Sequence, residues 1–144
     1  FFFFSPFSLW QDVVKRLAKV RGYSETWLGR RRYLPGIVSD DWGKKSFAER
    51  CAMNTPIQGT AADILKLALG RLIVELPDYS WLRPLLQIHD ELVFELPADK
   101  VEEAAALIRS CMEAQPFPEF DVPIVAEAAF GPSFGELAEM EVAR

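Results

Sequence analysis

Cysteine is scarce: Cys51 and Cys111 stand sixty residues apart and form no CxxC pair. That spacing gives neither a disulfide framework nor a structural zinc site, and two buried thiols in a reducing cytosol are the expectation. No uninterrupted apolar run approaches the ~20 residues a membrane span needs, so no membrane partner is expected. The opening Phe1-Phe2-Phe3-Phe4 lacks both a basic lead-in and an initiating Met. It is too short for a signal peptide and reads as the cut edge of a longer chain, its aromatics suited to packing on further structure. There is no internal repeat and no low-complexity linker. Histidine occurs once, at position 89, and an overall basic charge is missing, the net being −5.

Half of the 144 residues are apolar, enough to exclude a disordered chain and to build the core of one ordinary domain. The charge is unevenly spread. Residues 1–75 carry twelve Lys/Arg against seven Asp/Glu, and residues 76–144 carry four against fourteen. The basic half suits a phosphate-bearing partner, and the acidic half suits solvent or a metal.

Leu9, Val13, Val14, Leu17 and Val20, with Lys15, Arg16, Lys19 and Arg21 between them, predict a helix over 7–21 that Gly22 stops. Residues 24–34 read as two short extended pieces around Gly29, and 36–43 as a polar loop. A helix is predicted over 45–54. Thr55-Pro56-Ile57-Gln58 then reads as a capping box with Pro at the first helical position, opening a helix that Pro77 ends. That helix sets Ile57, Ala61, Ile64, Leu65, Ala68, Leu72 and Leu76 on one face. A hairpin is predicted over 82–96, an amphipathic helix over 98–113, and a final strand over 122–130. Hairpins with helices packed on one face give an α+β class.

The most telling stretch is Leu85-Leu86-Gln87-Ile88-His89-Asp90-Glu91-Leu92-Val93-Phe94-Glu95. Two apolar runs of strand length flank a histidine and two carboxylates, so a tight hairpin carries charge at its tip. Asp-Glu is a poor turn pair, because tight hairpin turns favour residues that tolerate positive φ. Acidic oxygens at such a place suit Mg²⁺ or Mn²⁺, though a solvated acidic turn has the same composition. His89 alone is compatible with a structural role or, beside Asp90, a proton shuttle. Arg50 and Asn54, four apart, share a helical face. Arg30, Arg31 and Arg32 form the densest cationic run, suited to backbone phosphates. Lys66 and Asp63 read as surface or helix-pairing residues.

Three segments in order, GYSETWLGRRRYLP (22–35), AERCAMNTPIQGTAAD (48–63) and LLQIHDELVFE (85–95), resemble the C-terminal part of the bacterial and phage family A DNA polymerases. The resemblance runs from about Phe2 to Glu136. It implies the palm region of a polymerase with adjoining finger helices, so that 1–144 is a single partial domain whose upstream part is absent. It implies Mg²⁺, primer–template DNA and deoxynucleoside triphosphates as partners, in a cytoplasmic, nucleoid-associated or phage-encoded protein. Asp90 then corresponds to one of the family's two metal-binding aspartates, and Glu91 to a neighbouring secondary carboxylate at the catalytic centre. His89 and Gln58 would contact the primer end in the DNA minor groove, where purine N3 and pyrimidine O2 acceptors are shared by all correct pairs. Arg50 and Asn54 would lie near the template–primer, with Arg30 and Arg31 on phosphates.

The family's other metal aspartate stands in a DYSQIE-type motif that these residues lack, as they lack the helix that grips the triphosphate. The expectation is template-directed nucleotidyl transfer to a primer 3′-hydroxyl by a longer polymerase, the 144 residues alone being inactive. A catalytically inactive DNA-binding module is the alternative. A metal-dependent hydrolase built on Asp90 and Glu91 ranks third, since no other group in the sequence would activate its nucleophile.

Overall fold

The computed structural model describes residues 6–140, so the Phe1–Phe4 edge lies outside the described residues. The chain forms two compact units, with the boundary at Asp63/Ile64. Each is a mixture of helices and small antiparallel two-stranded sheets, as the α+β class requires. Among the described residues no helix is long and apolar enough to cross a membrane.

The first unit begins with α1 (Pro6–Arg21). Gly22 ends it at φ 76°, a left-handed conformation only glycine adopts freely, and its N–H reaches Ala18 O at 2.9 Å. A two-stranded ribbon follows, β1 (Tyr23–Glu25) and β2 (Arg31–Tyr33), in the register Tyr23↔Tyr33, Ser24↔Arg32, Glu25↔Arg31. Gly29, at φ 83°, supplies its turn. A 3₁₀ turn at Pro35–Val38 occupies part of the expected polar loop. Helix α2 (Trp42–Asn54) starts three residues before the predicted Lys45, because the Asp41 carboxylate accepts from Lys44 N–H at 3.0 Å. The core joins Ala18 of α1, Leu34 and Ile37 after the ribbon, and Ala48, Cys51 and Ala52 of α2. Three alanines at the α1–α2 contact let the two backbones approach closely.

No capping box forms after Asn54. The chain stays helical through a π turn, Thr55–Gly59, into α3 (Thr60–Glu75). The Thr55 hydroxyl donates to Cys51 O at 2.7 Å instead of capping a new helix. A capping box needs a free helix N-terminus, and here none exists. Pro56 has no N–H for Ala52 O, and the wider turn absorbs that missing bond.

In the second unit Leu65, Ala68 and Leu72 of α3 are buried, as the periodicity predicted, together with Leu82. Ile57 and Ala61, placed on the same face by the sequence reading, are exposed. A hairpin pairs β3 (Arg83–Ile88) with β4 (Glu91–Glu95), with an irregularity between Pro84 and Leu86. Helix α4 (Val101–Glu113) buries Ala104, Ala105 and Cys111. Arg71 caps its C-terminal end by donating to Cys111 O, Ala114 O and Gln115 O at 3.2, 2.9 and 2.8 Å. A cation at carbonyls that lack helical partners also suits the helix dipole. The predicted strand over 122–130 shrinks to β5 (Ala129–Phe130), paired with β6 (Ala138–Glu139). The Ala126 N–H within that stretch bonds the Glu113 carboxylate at 2.8 Å rather than a strand partner.

Candidate functional site

Five buried polar side chains, Ser24, Thr26, Thr55, Thr60 and Asp63, all lie in the first unit, where the ribbon meets the π turn. Buried polar groups are costly unless bonded, and the sequence arranges a partner for each step. Ala52 O, which Pro56 cannot serve, accepts from Ser24 Oγ at 2.9 Å. Thr60 Oγ1 accepts from Trp27 N–H at 3.0 Å, and Thr26 Oγ1 from Arg30 N–H at 3.1 Å. Arg30 then reaches across, its Nε donating to Asp63 Oδ1 at 2.7 Å and its Nη2 to Gly59 O at 3.0 Å. Gly59 is obligatory at this crossing: a Cβ there would stand 2.7 Å from Thr26 Cγ2.

These bonds shape an open pocket of about 330 Å³ lined by Arg30, Arg31, Arg32, Asn54, Thr55, Gln58 and Gly59. Five residues singled out from the sequence, Arg30, Arg31, Arg32, Asn54 and Gln58, therefore converge on one concavity that carries three guanidinium groups and two carboxamides. Arg31 sits with its Cζ 4.6 Å from the Tyr23 ring centre and its Nε 3.5 Å from Glu25 Oε2. Arg50 does not line the pocket; its Nη1 donates to Ser46 Oγ on the preceding turn at 2.8 Å. Asp63, read from the sequence as a surface or helix-pairing residue, is instead buried and ion-paired to Arg30 beside the ribbon. Ser24, Thr26 and Thr60 were missed as well. The signal was present as two hydroxyl residues two apart, Ser24 on β1 and Thr26 just after it, and as Thr60 and Asp63 three apart on one helix.

The second unit holds the remaining candidates on its hairpin. The register Ile88↔Glu91 makes His89-Asp90 the two-residue turn, one residue earlier than an Asp90-Glu91 tip. His89 has φ 54°, and among the described residues it is the one non-glycine with positive φ. Positive φ at the first turn position is what tight hairpins require, and a side chain there costs ~1–2 kcal/mol. A strained non-glycine at a turn where glycine would be free of strain points to a use for the side chain. Asp90 follows in the turn and Glu91 opens β4, and all three residues are exposed. Carboxylate oxygens suit Mg²⁺. Yet among the described residues no three His, Cys, Asp or Glu side chains converge to hold an ion.

Residues 3–136 match the family described as DNA polymerase family A. Among curated proteins the chain is 43% identical over 122 residues to the thermostable DNA polymerase I of Thermus filiformis. It is 47% identical over 116 residues to the DNA polymerase I of Deinococcus radiodurans, and 45% over 125 residues to that of Bacillus subtilis. These matches cover 81–86% of this chain but only 12–14% of each relative, so the chain spans about one-seventh of their length. The fold resembles the POL domain of Pol1 from M. smegmatis, solved in complex with DNA primer–template and dNTP, at TM-score 0.72 and 42% identity. That match covers 79% of this chain and 20% of the other. The chain belongs to DNA polymerase family A.

Proposed function

We propose that these residues form part of the palm of a DNA-directed DNA polymerase, with adjoining finger helices, and serve template-directed transfer of deoxynucleoside monophosphates to a primer 3′-hydroxyl. The carrying observation is the hairpin that presents Asp90 in a turn whose first residue, His89, is held at positive φ. Asp90, with Glu91 beside it, would hold Mg²⁺ together with a carboxylate from the rest of the polymerase. The metal supplies charge stabilisation at the attacking and leaving oxygens of the phosphoryl group. His89 offers an imidazole N–H, and Gln58 a carboxamide N–H, to the acceptors that every correct base pair shows in the minor groove. Such contacts are blind to sequence but sensitive to pair shape. Arg31 and Arg32, with Asn54 in the same pocket and Arg50 one turn away on α2, suit primer–template phosphates and sugars. The M. smegmatis neighbour, solved with primer–template and dNTP, supports this reading. The setting is cytoplasmic, in a bacterial nucleoid or encoded by a phage.

The test is primer extension by the complete polymerase carrying Gln58→Ala or His89→Gly, the glycine keeping the turn's backbone free of strain. Extension from matched primers should fall ~10–100-fold, as loss of one or two good hydrogen bonds implies, while extension from mismatched primers changes less. An equal change for both primers would remove the primer-end role. Intact DNA binding without any extension by the wild-type protein would favour the binding-module alternative.

A further inference from the structure

The latch between the ribbon and the π turn carries an inference about Arg30, which rests on the reading of Gln58 as a primer-end donor. Arg30 belongs to the cationic run, and its side chain is about half exposed, yet its donors point inward. Nε is committed to Asp63, whose side chain is 9% exposed, and Nη2 to Gly59 O. Gly59 adjoins Gln58, and the π turn they share has given up a regular helical bond at Pro56. Such a turn is defined less by its own bonds than by what holds it from outside. Ser24 holds its N-terminal side through Ala52 O, and Arg30 holds its C-terminal side through Gly59 O and Asp63.

We infer that Arg30 and Asp63 are positioning residues: their ion pair clamps the π turn and so fixes where Gln58 presents its carboxamide in the pocket. Arg30 thereby differs in task from Arg31 and Arg32, which neighbour it in sequence. A buried carboxylate cannot itself attract a phosphate, so Asp63 separates the two roles cleanly. Lysine separates them too. It keeps the charge of Arg30 but has no planar fork to bridge a carboxylate and a carbonyl together.

The experiment uses the complete polymerase with Arg30→Ala, Arg30→Lys, Asp63→Asn and Gln58→Ala. Three readouts are taken: hydrogen exchange by mass spectrometry over residues 55–63, extension from matched and mismatched primers, and the salt dependence of primed-DNA binding. Each latch variant should speed exchange over 55–63 by about tenfold or more, the loss of one charge-assisted bond, with α4 unchanged as a control for folding. Each should reproduce the loss of mismatch discrimination of Gln58→Ala, and adding Gln58→Ala to it should change discrimination by less than about twofold, since the two act as one unit. The salt slope of Arg30→Ala should stay that of the wild type. Unchanged exchange over 55–63 in Arg30→Ala overturns the inference. So does a wild-type Arg30→Lys beside an Arg30→Ala whose slope is shallower by ~0.9, the signature of one lost phosphate contact. If Gln58→Ala itself leaves discrimination unchanged, the primer-end reading of Gln58 falls, and the exchange data alone still decide whether the latch exists.

Discussion

Ser24→Ala should loosen the helix between Ala52 and Thr60 more than any surface serine could. Pro56 has no N–H, so Ala52 O loses its helical donor, and Ser24 Oγ replaces it at 2.9 Å in a fully buried position. Removing the hydroxyl leaves a buried carbonyl unsatisfied, at a cost of about 1–3 kcal/mol. At ~1.4 kcal/mol per tenfold, amides over 52–60 should exchange roughly 5- to 150-fold faster. The proline gives an internal check. Pro56→Ala restores an N–H that can reach Ala52 O if the π turn relaxes to regular helix. Ser24→Ala in a Pro56→Ala background should therefore cost less than half of what it costs with Pro56 present, a coupling a double-mutant cycle resolves. Equal cost in both backgrounds would refute the account of the π turn as a proline-made gap filled by the ribbon.

Gly59→Ala should destabilise the first unit although alanine is the better helix former. The added methyl meets Thr26 Cγ2 at 2.7 Å, and overpacking of ~1–3 kcal/mol exceeds the ~1 kcal/mol propensity gain, which thermal denaturation would show as a lowered midpoint. Arg71→Ala should release the end of α4, because three carbonyls lose one guanidinium, and amide exchange over 111–115 should quicken. Arg32→Ala should reduce the salt slope of primed-DNA binding by ~0.9 without altering mismatch discrimination. Glu49 titrates below its ordinary value of 4.5, chiefly because the Lys19 ammonium donates to it at 2.8 Å. Its folded value being depressed, the pair stabilises above pH 4.5 and fades as pH falls through the lowered value. Both side chains are partly exposed, so the effect is under ~1 kcal/mol. Lys19→Ala should return the Glu49 titration, followed by NMR, towards 4.5.

What the sequence made legible was what depends on period and on short-range chemistry. The helix α1 and its stop at Gly22, the buried row Leu65, Ala68 and Leu72, and the two strands of the hairpin appear as the spacing implied, but the apolar stripe of α1 does not form the core: Leu9, Val13, Leu17 and Val20 are exposed, and the helix buries Ala18 instead. Where two local readings competed, tertiary context decided. Thr55-Pro56-Ile57-Gln58 has the composition of a capping box, but a box requires a helix end, and α2 simply continues. The hairpin turns at His89-Asp90, as the pairing of Ile88 with Glu91 sets it, and not at Asp90-Glu91, the pair that is locally a poor turn. Asp63 read as a surface or helix-pairing charge because its partner, Arg30, lies thirty-three residues away in the ribbon's turn, whose fold only the whole unit fixes. The final strand shortened to Ala129–Phe130, and upstream of it the Ala126 N–H bonds the Glu113 carboxylate instead of a strand partner.

Asp90→Asn in the complete polymerase tests the central claim most directly. The substitution keeps size and hydrogen-bonding capacity while removing the charge that would bind the reacting metal, worth several kcal/mol in the transition state. Primer extension should fall by about a thousandfold or more, with primed-DNA affinity in a gel-shift assay nearly unchanged. Extension within threefold of the wild type would contradict the assignment of this hairpin to the catalytic centre.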